Sequence, residues 1–259
     1  MGRTPGRTGG NCPRGKPNGR TLREDAKQLR ELNDRQQRFY ADITHEVSNP
    51  LQTLENSLEL LQLHQGNPEQ QAKYLEIARK QTARMGRLFQ DLATLQQYDD
   101  GRVQPYFQQV DVVQALHQTA DAYRDRILAK GLHCRLEPAA DAPALPVQAD
   151  PDLLDQVLDN LLSNALKYTE QGEILLQAEK LSEGVRLTIA DTGPGIAPEH
   201  LPHLTDRFYR TDVSRARSAG GTGLGLAVVE SILRAHGSRL EVDSQPGSGS
   251  SFSFMLTPA

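Results

Sequence analysis

The sequence predicts an α+β protein in two parts. The first is an N-terminal antiparallel helical hairpin that pairs with a second copy as a four-helix bundle. The second is a two-layer α/β sandwich. Three observations predict this. Apolar residues recur at steps of three and four along two long stretches separated by a single turn signal. Past residue 106 the pattern changes to short alternating strands interspersed with helices. Side chains suited to a phosphate chain gather in that second part, on one helix face and in two glycine-rich loops.

The bulk properties agree. A length of 259 residues suits two ordinary domains. With 37% apolar and 24% charged residues the chain can build a core, and its polarity suits helices that bury one stripe. A net charge of -4 gives no basis for nucleic acid or an anionic membrane as partner. The two cysteines, Cys12 and Cys134, form neither a CxxC pair nor a disulfide framework, so a reducing, cytoplasmic setting is expected. No apolar run approaches the roughly 20 residues of a membrane span, and no signal-peptide core is visible. Sensing of a stimulus is therefore expected from an upstream domain or protein outside this sequence.

Residues 1–20 are rich in Gly, Pro and basic side chains and predict a disordered tail. The hairpin is assigned to 21–100. Leu22, Leu29, Leu32, Phe39, Ile43, Val47, Leu51, Leu54, Leu58 and Leu61 lie on one seam of a single long helix. Such a helix spans roughly 60 Å, with a kink expected just before Pro50. Gln65-Gly66-Asn67-Pro68 is a turn signal. Leu75, Ala78, Thr82, Met85, Phe89, Leu92 and Leu95 then mark a second helix. One hairpin has a narrow core and two bury both stripes, so a homodimer is expected. Residues 101–106 read as a linker and 107–259 as the nucleotide domain. Strands are expected at 107–111, 132–137, 145–149, 173–178, 185–190, 239–243 and 251–256, and helices at 112–129, 152–168 and 223–236. Several of these strands connect directly as hairpins, which excludes a doubly wound sheet.

Four segments carry chemistry. His45 and Glu46 lie off the stripe formed by Ile43, Val47 and Leu51, so both are expected to face solvent. An exposed imidazole is a competent nucleophile near neutral pH, and the neighbouring carboxylate can hold one ring nitrogen protonated. A lone surface histidine would be ordinary; the other three segments give this one its weight. On the helix at 155–169, Asn160, Asn164 and Lys167 recur at steps of four and three and share a face that can hold hydrated Mg2+ and phosphate oxygens. Asp191 ends a strand and opens D-T-G-P-G-I, where Gly193 and Gly195 allow close backbone approach to a planar ligand. The run G-G-T-G-L-G-L at 220–226 leads into a helix and offers N–H donors to phosphates, although it lacks the G-K-[ST] ending of a P-loop. Between the last two, residues 201–219 carry four arginines and predict a mobile lid, with Arg210, Arg215 or Arg217 in reach of a terminal phosphate.

In this order and spacing the motifs resemble the sensor histidine kinases of two-component systems. H-E-V-S-N-P-L (45–51) resembles the H-box, N-L-L-S-N-A-L-K-Y (160–168) the N-box, and D-T-G-P-G (191–195) the G1 box. R-F-Y-R (207–210) resembles the F-box and G-G-T-G-L-G-L (220–226) the G2 box. The resemblance spans about Gln36 to Phe254. It implies an ATP- and Mg2+-dependent enzyme that phosphorylates His45 and passes the phosphoryl group to an aspartate of a response-regulator receiver domain. It implies that Asn164 binds Mg2+, that Asn160 supports catalysis beside the nucleotide, and that Lys167 and Tyr168 lie along phosphates and ribose. It further implies that Asp191 recognises the adenine amine, that Gly193, Gly195, Gly221, Thr222, Gly223, Leu224 and Gly225 shape the pocket, and that Phe208 and Arg210 belong to the lid. The commonest H-box in the family reads H-E-L-R-T-P-L; here Val47, Ser48 and Asn49 stand in the middle. Asn49 is a side chain that can position water, which leaves removal of phosphate from the partner open.

Two other classes share parts of this pattern. Hydrolytic ATPases of the same nucleotide-binding fold use a glutamate base where Asn160 stands, and an amide cannot accept that proton. A non-catalytic nucleotide-binding scaffold would give neither phosphoprotein nor free phosphate.

Overall fold

The computed structural model describes residues 19–99, 104–138, 143–211 and 222–259. The expected tail up to residue 18, linker residues 101–103, lid residues 212–219 with Arg215 and Arg217, and Gly221 lie outside the described residues. The chain divides into two units after His45.

In the first unit the described residues belong to α1, which spans Gly19–Leu63 and ends in the second unit. The helix starts at Gly19, so Gly19 and Arg20 are helical rather than part of a tail. Pro50 is buried and the helix continues on both sides of it.

The second unit holds the rest of the chain. A turn with Gly66 at φ 105° leads to α2, Pro68–Asp99. The Asn67 side chain accepts from the Gln70 N–H at 3.2 Å and Pro68 occupies the first turn, a start that satisfies one unpaired donor and needs no other at the proline. Ala78, Leu88 and Leu95 are buried, but Leu75 and Phe89, expected on the buried stripe, are 52% and 55% exposed. Leu51 and Leu58 of α1 are exposed as well. Burial of these four is expected from a second copy of the hairpin. The C-terminal half of α2 packs on the last helix of the C-terminal domain, which draws Leu88 and Leu95 into that core.

The C-terminal domain runs β1 (Gln108–Asp111), α3 (Val112–Ala129), β2 (His133–Glu137), β3 (Pro146–Ala149), α4 (Pro151–Tyr168), β4 (Glu173–Lys180), β5 (Val185–Asp191), a 3-10 turn at Leu201–His203, α5 (Gly225–Ala235), β6 (Glu241–Gln245) and β7 (Gly249–Leu256). β1 and β3 pair antiparallel as a small ribbon. The main sheet has the order β2-β4-β5-β7-β6, antiparallel except for β2 against β4. Side chains alternate across it. Ile174, Leu176, Leu187, Ile189, Phe252 and Phe254 are buried on the face covered by α3, α4 and α5, while Gln177, Arg186 and Ser251 on the other face stay partly accessible. This is the two-layer sandwich expected.

α4 is the helix that carries the candidate site, and its start is strongly specified. Asp150 caps it through the Leu153 N–H, Pro151 sits in the first turn, and Asp152 complements the helix dipole. At its far end the Lys130 ammonium donates to the carbonyls of Leu166 at 2.6 Å and Thr169 at 3.1 Å, satisfying acceptors that the helix leaves open.

Candidate functional site

A cavity of about 1000 Å³ opens between α4, the strand end at Asp191, the segment around Arg210, the loop before α5, and α2. Asn160, Asn164 and Lys167 all line it, as their shared helix face predicts. Asn160 donates through Nδ2 to the Gln156 carbonyl at 3.1 Å, which fixes its amide plane. A Cβ on Gly225 would stand 2.8 Å from Asn160 Oδ1, so the absence of a side chain there lets the α5 terminus meet the amide. The half-buried Asn164 amide makes no hydrogen bond among the described residues. Lys167 holds its ammonium over the Tyr168 ring at 4.7 Å.

At another part of the wall, Asp191 accepts the Gly193 N–H at 2.8 Å. Burial raises the Asp191 pKa above its ordinary value, against the backbone hydrogen bonds from Gly193 and Ser250 that lower it. Gly193 lies behind this carboxylate, and Gly195, in the left-handed region at φ 70°, would place a Cβ 1.9 Å from the Gln245 carbonyl oxygen. Only glycine fits that position.

The F-box and G2 segments meet backbone to backbone. The Phe208 N–H donates to the Gly223 carbonyl at 2.9 Å, and Phe208 itself has φ 63°. Phe208 packs against the core, and Leu224 is fully buried; neither lines the cavity. Arg210, Thr222, Gly223 and Gly225 do.

Sequence reasoning missed one wall. Arg84, Arg87, Gln90 and Asp91 of α2 line the same cavity as Asn160 and Asp191. Their 3-and-4 spacing marks one polar face, but nothing in the sequence aims that face at the nucleotide domain. Thr94 of α2 exchanges a 3.3 Å hydrogen bond with Gln156 of α4. The Asp91 carboxyl is pushed up to about 6, chiefly by burial, with Arg87 and the Thr222 hydroxyl acting against it and Asp159 with it. Tyr123 and Asp159 were missed too. The Tyr123 hydroxyl donates to Asp159 at 2.5 Å, and burial with that bond raises the phenol to about 12.

His45 is exposed on α1, as expected, and so is Asn49. Glu46 requires a correction. It is not turned to solvent: its side chain is 15% exposed, and Oε2 accepts from Arg84 Nη2 at 2.7 Å. The stripe rule placed it on the wet face because it counts apolar neighbours on one helix, and α2 supplies a cation that buries it.

The fold is a helical hairpin joined to a two-layer sandwich with one polar cavity, and comparison with known proteins says which class this is. The model of the His Kinase A (phospho-acceptor) domain matches residues 35–101. That of the Histidine kinase-, DNA gyrase B-, and HSP90-like ATPase matches residues 149–259. The phosphate regulon sensor protein PhoR of Pseudomonas aeruginosa is 36% identical over 246 residues, covering 92% of this chain and 54% of PhoR. The signal transduction histidine-protein kinase BaeS of Escherichia coli is 34% identical over 242 residues, covering 91% of this chain and 50% of BaeS. Among solved structures, full-length ShkA in complex with AMPPNP is 30% identical with a TM-score of 0.65, over 85% of this chain and 45% of ShkA. The chain belongs to the sensor histidine kinases. It spans about half the length of the curated relatives it matches. No helix among the described residues is long and apolar enough to cross a membrane.

Proposed function

We propose that this chain is the kinase portion of a two-component sensor, which uses ATP to phosphorylate His45 and transfers the phosphoryl group to an aspartate of a response-regulator receiver domain. The observation that carries this is one cavity holding Asn160, Asn164, Lys167, Asp191 and the loop before α5, in a chain whose hairpin presents an exposed His45.

Asp191 takes the adenine amine, with one carboxylate oxygen already fixed by Gly193. Lys167 and the N–H groups at the start of α5 face the phosphates. The donor set fits Mg2+: the Asn164 amide is half-buried in the cavity with no internal hydrogen bond among the described residues, and phosphate oxygens and water complete such a shell. When bound, the ion supplies charge neutralisation between the phosphates. The His45 imidazole attacks the terminal phosphorus, the bond to the bridging oxygen breaks, and ADP leaves. Glu46 takes the ring proton. The phosphohistidine then gives its phosphoryl group to the receiver aspartate. Asn49, exposed one turn after His45, orients water for a second activity, hydrolysis of the phosphate on the regulator.

The exposed Leu51, Leu58, Leu75 and Phe89 support a homodimer through the hairpin, since a second copy buries them. A cytoplasmic site of action and an upstream sensory domain or protein complete the proposal. The hydrolytic reading fits less well. Asn160 cannot act as a base, and the neighbouring Asp159 is engaged by Tyr123.

Radiolabelled ATP tests the proposal. Acid-labile label is expected on the wild type and lost in His45→Gln, and Asn164→Ala is expected to abolish Mg-ATP use. Free phosphate without labelled protein would replace this reading with the ATPase.

A further inference from the structure

We propose that Arg84 bridges the carboxylate beside the phosphoacceptor and the terminal phosphate of the nucleotide, and so positions both for transfer. The proposal rests on the kinase reading for the identity of the acceptor, but its principal test does not.

Three observations on one side chain carry it. Arg84 Nη2 is bound to Glu46 Oε2 at 2.7 Å, and both side chains are largely buried. Arg84 lines the nucleotide cavity. Its Nε is buried and has no hydrogen-bond partner among the described residues. A guanidinium has a fork of donors on more than one edge, so engaging Glu46 with Nη2 leaves others unused. A buried donor without a partner is unusual in a folded protein and calls for a specific explanation, a bound group among them.

The neighbours on α2 show which part of a nucleotide comes near. One turn on, Arg87 adds a second cation to the lining. Asp91 on the same face reaches the Thr222 hydroxyl, in the loop that opens α5. Thr94 joins Gln156, one turn before Asn160. This face therefore runs beside Asn160 and the α5 start, where phosphates are held, while the adenine is held at Asp191. A planar fork suits a phosphate oxygen better than a base edge here, because the bridge then cancels repulsion between the Glu46 carboxylate and the phosphate. A mere structural ion pair would leave Nε unused and make no distinction between ATP and ADP.

Titration calorimetry of the full chain with Mg-ATP and with Mg-ADP reads this out. Arg84→Gln is expected to weaken ATP about tenfold and ADP less than about twofold. Arg79→Gln, an exposed position of α2 outside the cavity, is expected to change neither. Equal weakening of both nucleotides by Arg84→Gln, or no change in either, would overturn the bridge. Arg84→Lys covers the case in which the glutamine variant fails to fold. It keeps the charge but not the fork, so KM for ATP is expected to stay within about threefold while kcat for labelling falls at least about tenfold. Wild-type kcat in Arg84→Lys would overturn the proposal. The ATP-to-ADP ratio is independent of labelling at His45, so failure of the kinase reading and failure of the bridge are separately visible.

Discussion

Asp191 accepts the Gly193 N–H on Oδ1 at 2.8 Å, and a second backbone hydrogen bond reaches its carboxylate from Ser250. Asp191→Asn keeps the shape, and if Asp191 takes the adenine amine as proposed, it replaces an acceptor oxygen with a donor. The expected loss is about 1.5–3 kcal/mol of binding, roughly 10- to 100-fold in ATP affinity. Titration calorimetry checks it; wild-type affinity would retire the adenine contact.

Gly195 tests the close approach of the G1 loop. A methyl group there meets the Gln245 carbonyl oxygen at 1.9 Å, and the backbone is already in the left-handed region. Gly195→Ala is expected to cost about 1–3 kcal/mol or displace the loop and lower nucleotide affinity. Gly86 in α2 serves as contrast, because a methyl group added there meets nothing within 4 Å among the described residues. Gly86→Ala is expected to raise stability by up to about 1 kcal/mol through helix propensity. Thermal unfolding of the pair reads both signs.

Asp91 predicts a pH dependence. Its folded pKa of about 6 lies above the ordinary 3.8, so the native state binds this proton more tightly than the unfolded chain. The charged form is therefore a burden on the fold above pH 6, and that burden is relieved as pH falls from about 6 to about 4. Asp91→Asn is expected to be more stable than wild type at pH 7.5. The gap closes on acidification. A gap in unfolding free energy that stays constant from pH 7.5 to pH 4 would show that Asp91 does not carry this effect.

Much of the architecture was legible in residue order because the relevant forces are local. Val185, Leu187 and Ile189 alternate with Arg186 and Thr188, and a pleated strand must send such sets to opposite faces. Asn160, Asn164 and Lys167 share a face because of the helical repeat alone. Glu46 was misplaced, and the draw of Leu88 and Leu95 into the sandwich core was not foreseen, for the opposite reason. Their surroundings come from Arg84, 38 residues away in the first case, and from the packing of α2 on α5 in the second.

By itself the sequence determined the hairpin, the sandwich, a helix at 152–168, and the family that the five motifs define. Periodicity and capping act within a few residues, and motif spacing is written in the chain. Only the tertiary structure decided that α2 walls the cavity, that Glu46 is tied to Arg84, and that burial pushes the Asp91 carboxyl up to about 6. Those facts depend on which surfaces meet, and desolvation and ion pairing arise only where they do.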